Sequence, residues 1–308
     1  MHPAISIIVF STFSGVGFGI SFWLGVWGHT LSPQAAVVAG FFALCWASIG
    51  LLSSLFHLRR PTRAIRSLSQ WRSSWLSREG ILSILTLGCI FLYIVLRFFS
   101  FHGAGVLILS WIISVLSLAT VYSTAMIYTQ LKAVPAWNTI LTPLVYIGFS
   151  LIGGSTFLFC FIPGYSNEVS NLLNPVLLVG SWILWILWCL RRDRIGTGPS
   201  SVGTATRLSK FGSIKPFEPP HSGANYLTSE MGYRLPRTKS RLMRGLAVIT
   251  GLFFPVAIYS FLFFNHEKWF ADSTLFVLFC FTFSGILISR WLFFTESRHT
   301  TMLYYYGD

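Results

Sequence analysis

Charge is what this sequence has least of. Only 10% of its 308 residues are Asp, Glu, Lys or Arg, against about a quarter in an ordinary soluble domain, while 54% are hydrophobic. That shortage excludes a water-soluble globular chain. Cysteine is sparse too: Cys45, Cys89, Cys160, Cys189 and Cys280 all fall inside apolar runs, and none forms a CxxC pair. Iron–sulfur clusters and structural zinc need grouped thiolates, so the chain by itself is expected to hold neither. Histidine is missing from the middle of every apolar run. A bis-histidine haem needs two of them at matched depth on facing helices, and no haem is expected.

What is present is a series of long apolar segments. A membrane-spanning helix takes about 20 mostly apolar residues, and eight runs qualify: Ile5–Trp27, Ala35–Phe56, Ile81–Phe101, Ala104–Tyr128, Ile140–Ile162, Leu172–Leu190, Gly245–Phe264 and Ser273–Phe294. The first has no basic residues before it and is longer than the core of a signal peptide, so it is expected to stay as a helix. The expected fold is therefore an all-α integral membrane protein, a single eight-helix domain over residues 1–308 with a long basic loop at 191–244.

The formal net charge of +13 would suit nucleic acid, but its placement points elsewhere. With eight spans, twenty of the 22 Lys and Arg fall on one face, and only Arg97 and Lys268 lie towards the other. Such a bias marks the cytoplasmic side of a membrane. Both termini are accordingly expected in the cytoplasm, in a multi-pass protein of the bacterial inner membrane that contacts lipid rather than nucleic acid. The loop 191–244 is rich in Gly, Ser, Thr and Pro, and suits either a strap for a soluble partner or attachment to anionic lipid. Between the second and third spans, Ile65, Leu68, Trp71 and Trp75 recur at spacings of three and four, as on one face of a short interfacial helix. The glycines of "SGVGFG" near Ser14 follow no strand and do not fit a dinucleotide fingerprint. They read, with Gly148, Gly153 and Gly154, as sites of close helix approach.

One constellation carries chemistry. His57 ends the second span and Glu79, in "SWLSREG", opens the third, so both lie at one depth on the basic face. Arg59, Arg60, Arg63, Arg78 and Tyr128 share that leaflet, with Trp75 and Trp137 as flat apolar surfaces. Exchange of two electrons and two protons with a quinone needs a donor to the ring oxygen and a group that relays protons to water. His57 suits the first task and Glu79 the second; an ordinary surface ion pair with a neighbouring arginine is the plainer alternative. His29, His102, His221, His266 and His299 read as solvated ends, and Arg290, one turn from the end of its span, as a side chain that snorkels to the headgroups. A transporter would show charged residues or broken helices near the midplane. A purely structural anchor would be indifferent to changes at His57.

The stretches "MHPAISIIVFSTFSGVGFG", "SLFHLRRPTRAIRSLSQWRSSWLSREG", "MIYTQLKAVPAWNTILTPLVY", "NYLTSEMGYRL" and "RWLFFTESRHTTMLYYYG" resemble the DmsC family nearly end to end. These are the membrane anchor subunits of dimethyl sulfoxide reductase-type molybdenum enzymes, and the likeness is greatest to the longer members, which include the membrane subunit of a cytoplasmic sulfite dehydrogenase. The resemblance implies an oxidoreductase subunit without a catalytic metal of its own. It would exchange electrons between an iron–sulfur subunit, itself bound to a molybdopterin catalytic subunit on the cytoplasmic face, and ubiquinone or menaquinone. It places the family's functional histidine on His57, its carboxylate on Glu79 and its arginine after the proline on Arg63.

Overall fold

The computed structural model describes residues 4–57, 64–165, 168–196, 198, 200–214, 217–218, 223, 231–232, 237–264 and 271–306. Eight helices are long and apolar enough to cross a membrane: α1 (Ile5–Trp27), α2 (Pro33–Phe56), α3 (Trp75–Phe98), α4 (Ala104–Thr129), α5 (Leu141–Phe161), α6 (Leu172–Ile195), α7 (Thr238–Phe264) and α8 (Ser273–Thr295). Among the described residues there is no strand. Eight crossings put both chain ends on one side, the terminal face.

Three boundaries lie well outside the apolar runs, each for a local reason. Helix α3 starts at Trp75 instead of Ile81, where the Ser74 side chain accepts from the Ser77 N–H at the N-terminus, an orphan donor that a helix start must satisfy. Glu79 therefore lies one turn inside the helix. Helix α6 continues to Ile195 and α7 begins at Thr238, past the residues that hydropathy alone assigns to the loop. There Arg192, Asp193, Arg244 and Glu296 neutralise one another. Arg192 bonds both Glu296 and Asp193, while Arg244 reaches Glu296 at 2.8 Å and Asp193 at 2.7 Å. Ser240 also donates to Glu296. This clamp joins α6 and α7 to the residues just past α8.

The bundle is built around α1 and α5, its most enclosed helices. They approach at Gly19 and Gly154: a Cβ on Gly154 would fall 2.1 Å from the carbonyl carbon of Gly19. Gly17 is as tight against α2, where a Cβ would lie 2.3 Å from the Ala47 amide nitrogen. Without a hydrophobic drive between helices in lipid, such contacts supply packing energy directly.

The short segments on the terminal face are also pinned. After α4, the Ala133 carbonyl accepts from the Thr300 N–H at 2.9 Å. The Trp137 indole N–H donates to the Phe293 carbonyl at 3.0 Å. Arg191 donates to the carbonyls of Pro135 and Asn138. Before α3, the expected interfacial helix takes the form of two short turns, Ala64–Ser67 and Leu68–Gln70, with Ile65 and Trp71 exposed. Arg78 ties this segment back to α3, donating to the carbonyls of Trp71 at 2.9 Å and Arg72 at 2.6 Å, with its guanidinium 4.4 Å from the Trp75 ring centre.

The clamp residues differ in exposure, which sets their worth. Arg192 and Glu296 are 6% and 4% exposed, whereas Asp193 is 48% exposed. Glu296→Ala removes the buried partner of Arg192, leaving it only the half-exposed Asp193, and is expected to cost roughly 3 kcal/mol. Asp193→Asn is expected to cost under about 1 kcal/mol. Chemical unfolding in detergent micelles checks the order; equal losses would contradict it.

Candidate functional site

The polar interior near the terminal face starts at Glu79. Its side chain is 4% exposed, and Oε1 accepts from the Thr124 hydroxyl of α4 at 2.5 Å. One turn along α4, Tyr128 stacks on Tyr146 of α5, with ring centres 5.8 Å apart and planes at 30°. Arg290 of α8 lies over the Tyr146 ring, its guanidinium carbon 3.5 Å from that ring centre and 5.7 Å from that of Phe149. Both tyrosines lie in the fields of Glu79 and Arg290. No ion pair within contact distance joins the two charges. A carboxyl group on α3 and a guanidinium on α8 thus share one polar neighbourhood without a contact ion pair, the first on a threonine hydroxyl and the second on a tyrosine ring.

Snorkelling, the expectation for Arg290, does not occur. The residue is 2% exposed, because it lies on the inward side of α8 and the aromatic face of Tyr146 takes up its charge by a cation–π contact. The sequence does carry a signal for it: an ionisable residue inside a span is a functional candidate by default, and its cost is offset only by named partners. Tyr146 and Thr124 escape sequence reasoning because a lone hydroxyl in an apolar run carries no signal until the neighbouring helix is known.

The other expected residues divide. Tyr128 and Trp137 join the cluster, their rings 5.3 Å apart and near perpendicular. One face of Trp137 is stacked on Phe293 at 5.3 Å with planes 10° apart, and Phe294 packs against it at 5.8 Å, so the buried indole serves as a wall behind Tyr128. Trp75, half-buried at the start of α3, is edge-on to Tyr122 at 5.8 Å. The backbone of His57 closes the short helical turn Ser54–His57 that extends α2, and its side chain is outside the described part of the structure. Arg60 and Arg63 lie outside the described residues.

Chemically, the cluster offers a proton-accepting carboxyl group, hydroxyl and phenol groups that both donate and accept, and a fixed cation that offsets negative charge on a nearby group. These are parts for coupled proton and electron exchange on a polar ring, arranged at one membrane edge rather than at the midplane. Fold and site together define a polytopic helical membrane protein with a buried polar cluster near the face that carries its termini. Residues 1–296 match the DMSO reductase anchor subunit (DmsC) family, and the chain belongs to it. It is 32% identical to the C subunit of the sulfite dehydrogenase of Allochromatium vinosum, over 99% of both sequences. It is also 27% identical to the C polypeptide of the anaerobic dimethyl sulfoxide reductase of Escherichia coli, over 57% of this sequence and 62% of that one. No solved structure matches it.

The two buried charges should stabilise each other through the tyrosines. A double-mutant cycle with Glu79→Gln and Arg290→Leu, read by unfolding in detergent, is expected to give an interaction free energy of about 1 kcal/mol or more. Simple additivity would show that the charges are independent.

Proposed function

We propose that this chain is the quinone-reactive anchor of a molybdopterin and iron–sulfur oxidoreductase complex. Electrons pass between the nearest cluster of an iron–sulfur partner and a quinone held at the terminal-face edge of α3 and α4. The observation that carries this reading is a buried cluster of Glu79 on Thr124, Tyr128 stacked on Tyr146, and Arg290 over the Tyr146 ring, in a member of the anchor-subunit family. Its relatives, subunits of a sulfite dehydrogenase and of a dimethyl sulfoxide reductase, support a place in such a complex. The excess of Lys and Arg on the terminal face supports a cytoplasmic orientation for both termini in a bacterial inner membrane, with the soluble partners docked there.

Each residue has a task in this reading. His57 hydrogen-bonds the quinone oxygen, and Glu79 exchanges its protons, oriented by the Thr124 hydroxyl. Arg290, delocalised over Tyr146, offsets negative charge that grows on the ring as electrons arrive. Tyr128 presents its phenol between the two. Trp137 keeps Tyr128 in place, and Arg60, Arg63 and Trp75 are further candidates for contact with the quinone. Quinone, ubiquinone or menaquinone, is the substrate of the site. The molybdopterin and clusters belong to the partners.

Replacing His57 by Asn or Glu79 by Gln in the intact complex is expected to lower quinone-linked turnover by about tenfold to a thousandfold, the range for loss of a proton-transferring group. Turnover with reduced viologen dyes, which bypass the membrane site, should stay at the level of the unsubstituted complex. Paired assays on native membranes measure both. Full quinone-linked rates in both variants would rule the assignment out.

A further inference from the structure

The inward side of α3 is polar from one membrane edge to the other. Glu79, Ser83, Thr86, Ile90, Tyr93 and Arg97 recur at spacings of four and three, all are buried, and Ile90 alone is apolar. The outward side carries Leu85, Phe91 and Leu92, exposed by half or more of their surface or close to it. Helix α4 answers this stripe with its own. Thr124 bonds Glu79 at 2.5 Å and Thr120 meets Thr86 hydroxyl to hydroxyl at 3.2 Å. At the far end Ser110 shares a cavity with Tyr93 and Arg97. With the two helices antiparallel, that register sets Ser117 opposite Ile90. Every level of the seam therefore has at least one polar side chain. From Glu79 to Arg97 it runs about 27 Å at the helical rise of ~1.5 Å per residue, close to the ~30 Å of a hydrocarbon core.

The far end is a cavity of about 300 Å³ lined by His29, Tyr93, Arg97, His102 and Ser110. Arg97, 3% exposed, bonds His102 Nδ1 at 2.9 Å and donates to the Leu31 carbonyl at 2.7 Å. His29 and His102 are exposed there, on the face opposite the termini. Serine and threonine in membrane helices commonly return their hydroxyls to their own backbone and allow close packing, and Thr86, Thr120 and Thr124 do so. That account leaves out two facts. The seam ends in a carboxylate on one side and a guanidinium with two imidazoles on the other. Ser117 Oγ and Tyr93 Oη, each in a residue 1% exposed, have no hydrogen-bond partner among the described residues.

We propose that the seam between α3 and α4 conducts protons between this cavity and Glu79, so that the protons exchanged with quinone at the terminal face come from, or leave to, the opposite face. The inference rests on the quinone reading above. Its balance is quinone plus two electrons plus two protons giving quinol, or the reverse. The electrons enter from the terminal face through the iron–sulfur partner, and the protons travel along the seam to Glu79. A hydroxyl accepts a proton on one lone pair and releases its own on the other side. Successive levels are about one turn, ~5.4 Å, apart, a gap that one bridging water covers with two hydrogen bonds of about 2.8 Å. Electrons and protons then meet from opposite sides, and turnover charges the membrane.

The test uses the whole complex in liposomes, oriented with the soluble partners outward. A pH dye is trapped inside, decylubiquinone is in the bilayer, reduced benzyl viologen is added outside, and valinomycin with potassium cancels the potential. As quinone is reduced, the lumen is expected to turn alkaline by about two protons per quinone, the number needed to form quinol. In the double variant T86V/S117A, lumenal uptake should fall about tenfold, and the conservative T86S/S117T should restore it. Quinone reduction with proton uptake from the outer medium alone would overturn the proposal, as would undiminished lumenal uptake in T86V/S117A. The first of these arms decides the matter even if the double variant fails to assemble. Failure of the unsubstituted complex to reduce quinone at all would instead refute the quinone reading, and the proton route with it.

Discussion

Everything in this bundle follows from where polar groups can be placed when the surroundings are hydrocarbon. Lipid accepts leucine and phenylalanine on the outside at no cost, and leaves an unsatisfied hydroxyl or charge nowhere to go but inward. The chain obeys this in detail. On α3 Leu85, Phe91, Leu92 and Phe98 face out while Ser83, Thr86 and Tyr93 face in. On α1 and α5 small residues remove the side chains between backbones, so that Gly19 and Gly154 touch. What would be a hydrophobic core in water becomes, in part, a polar interior.

That interior has two kinds of charge, held by different means. At the ends of α6 and α7, Arg192, Asp193, Arg244 and Glu296 form contact pairs, and the result is a clamp. Deeper in, Glu79 and Arg290 are kept from contact, one on a threonine hydroxyl and the other on a tyrosine ring. A carboxyl group so held is free to change its protonation without breaking an ion pair, and a guanidinium so held can act on whatever sits beside the tyrosines. The clamp lends rigidity to this pair: Phe293 of α8 stacks on Trp137 and lies edge-on to Tyr128 and Tyr146, one turn from the residues that the clamp fixes.

Much of the architecture is legible in the sequence because hydropathy is a long-range property that single residues barely disturb. All eight spans show in it, and most of their edges differ little from the folded helices. The ends of α6 and α7 differ where charges pair, at Arg192, Asp193 and Arg244, since a charge count cannot see that a partner on another helix cancels it; the start of α3 differs because Ser74 caps it a turn and a half early. The site is legible in part. Glu79 and Tyr128 stand out by position in the basic leaflet, and both are in the buried cluster. Arg290 misleads because its distance from the end of the span allows snorkelling, and only the position of Tyr146 shows that it turns inward. The polar stripe of α3 is readable from its spacing of fours and threes. Its meaning needs α4, whose hydroxyls fall opposite it only in the folded bundle.

The most direct measurement of the central claim, that quinone is held beside Glu79 and Arg290, is photoaffinity labelling of the complex in native membranes. An azidoquinone would be activated by light, and the labelled peptides identified by mass spectrometry. The account predicts label on the terminal-face ends of α3, α4 or α8, competed away by unlabelled quinone. Label confined to the opposite face, or label that unlabelled quinone does not displace, would contradict it.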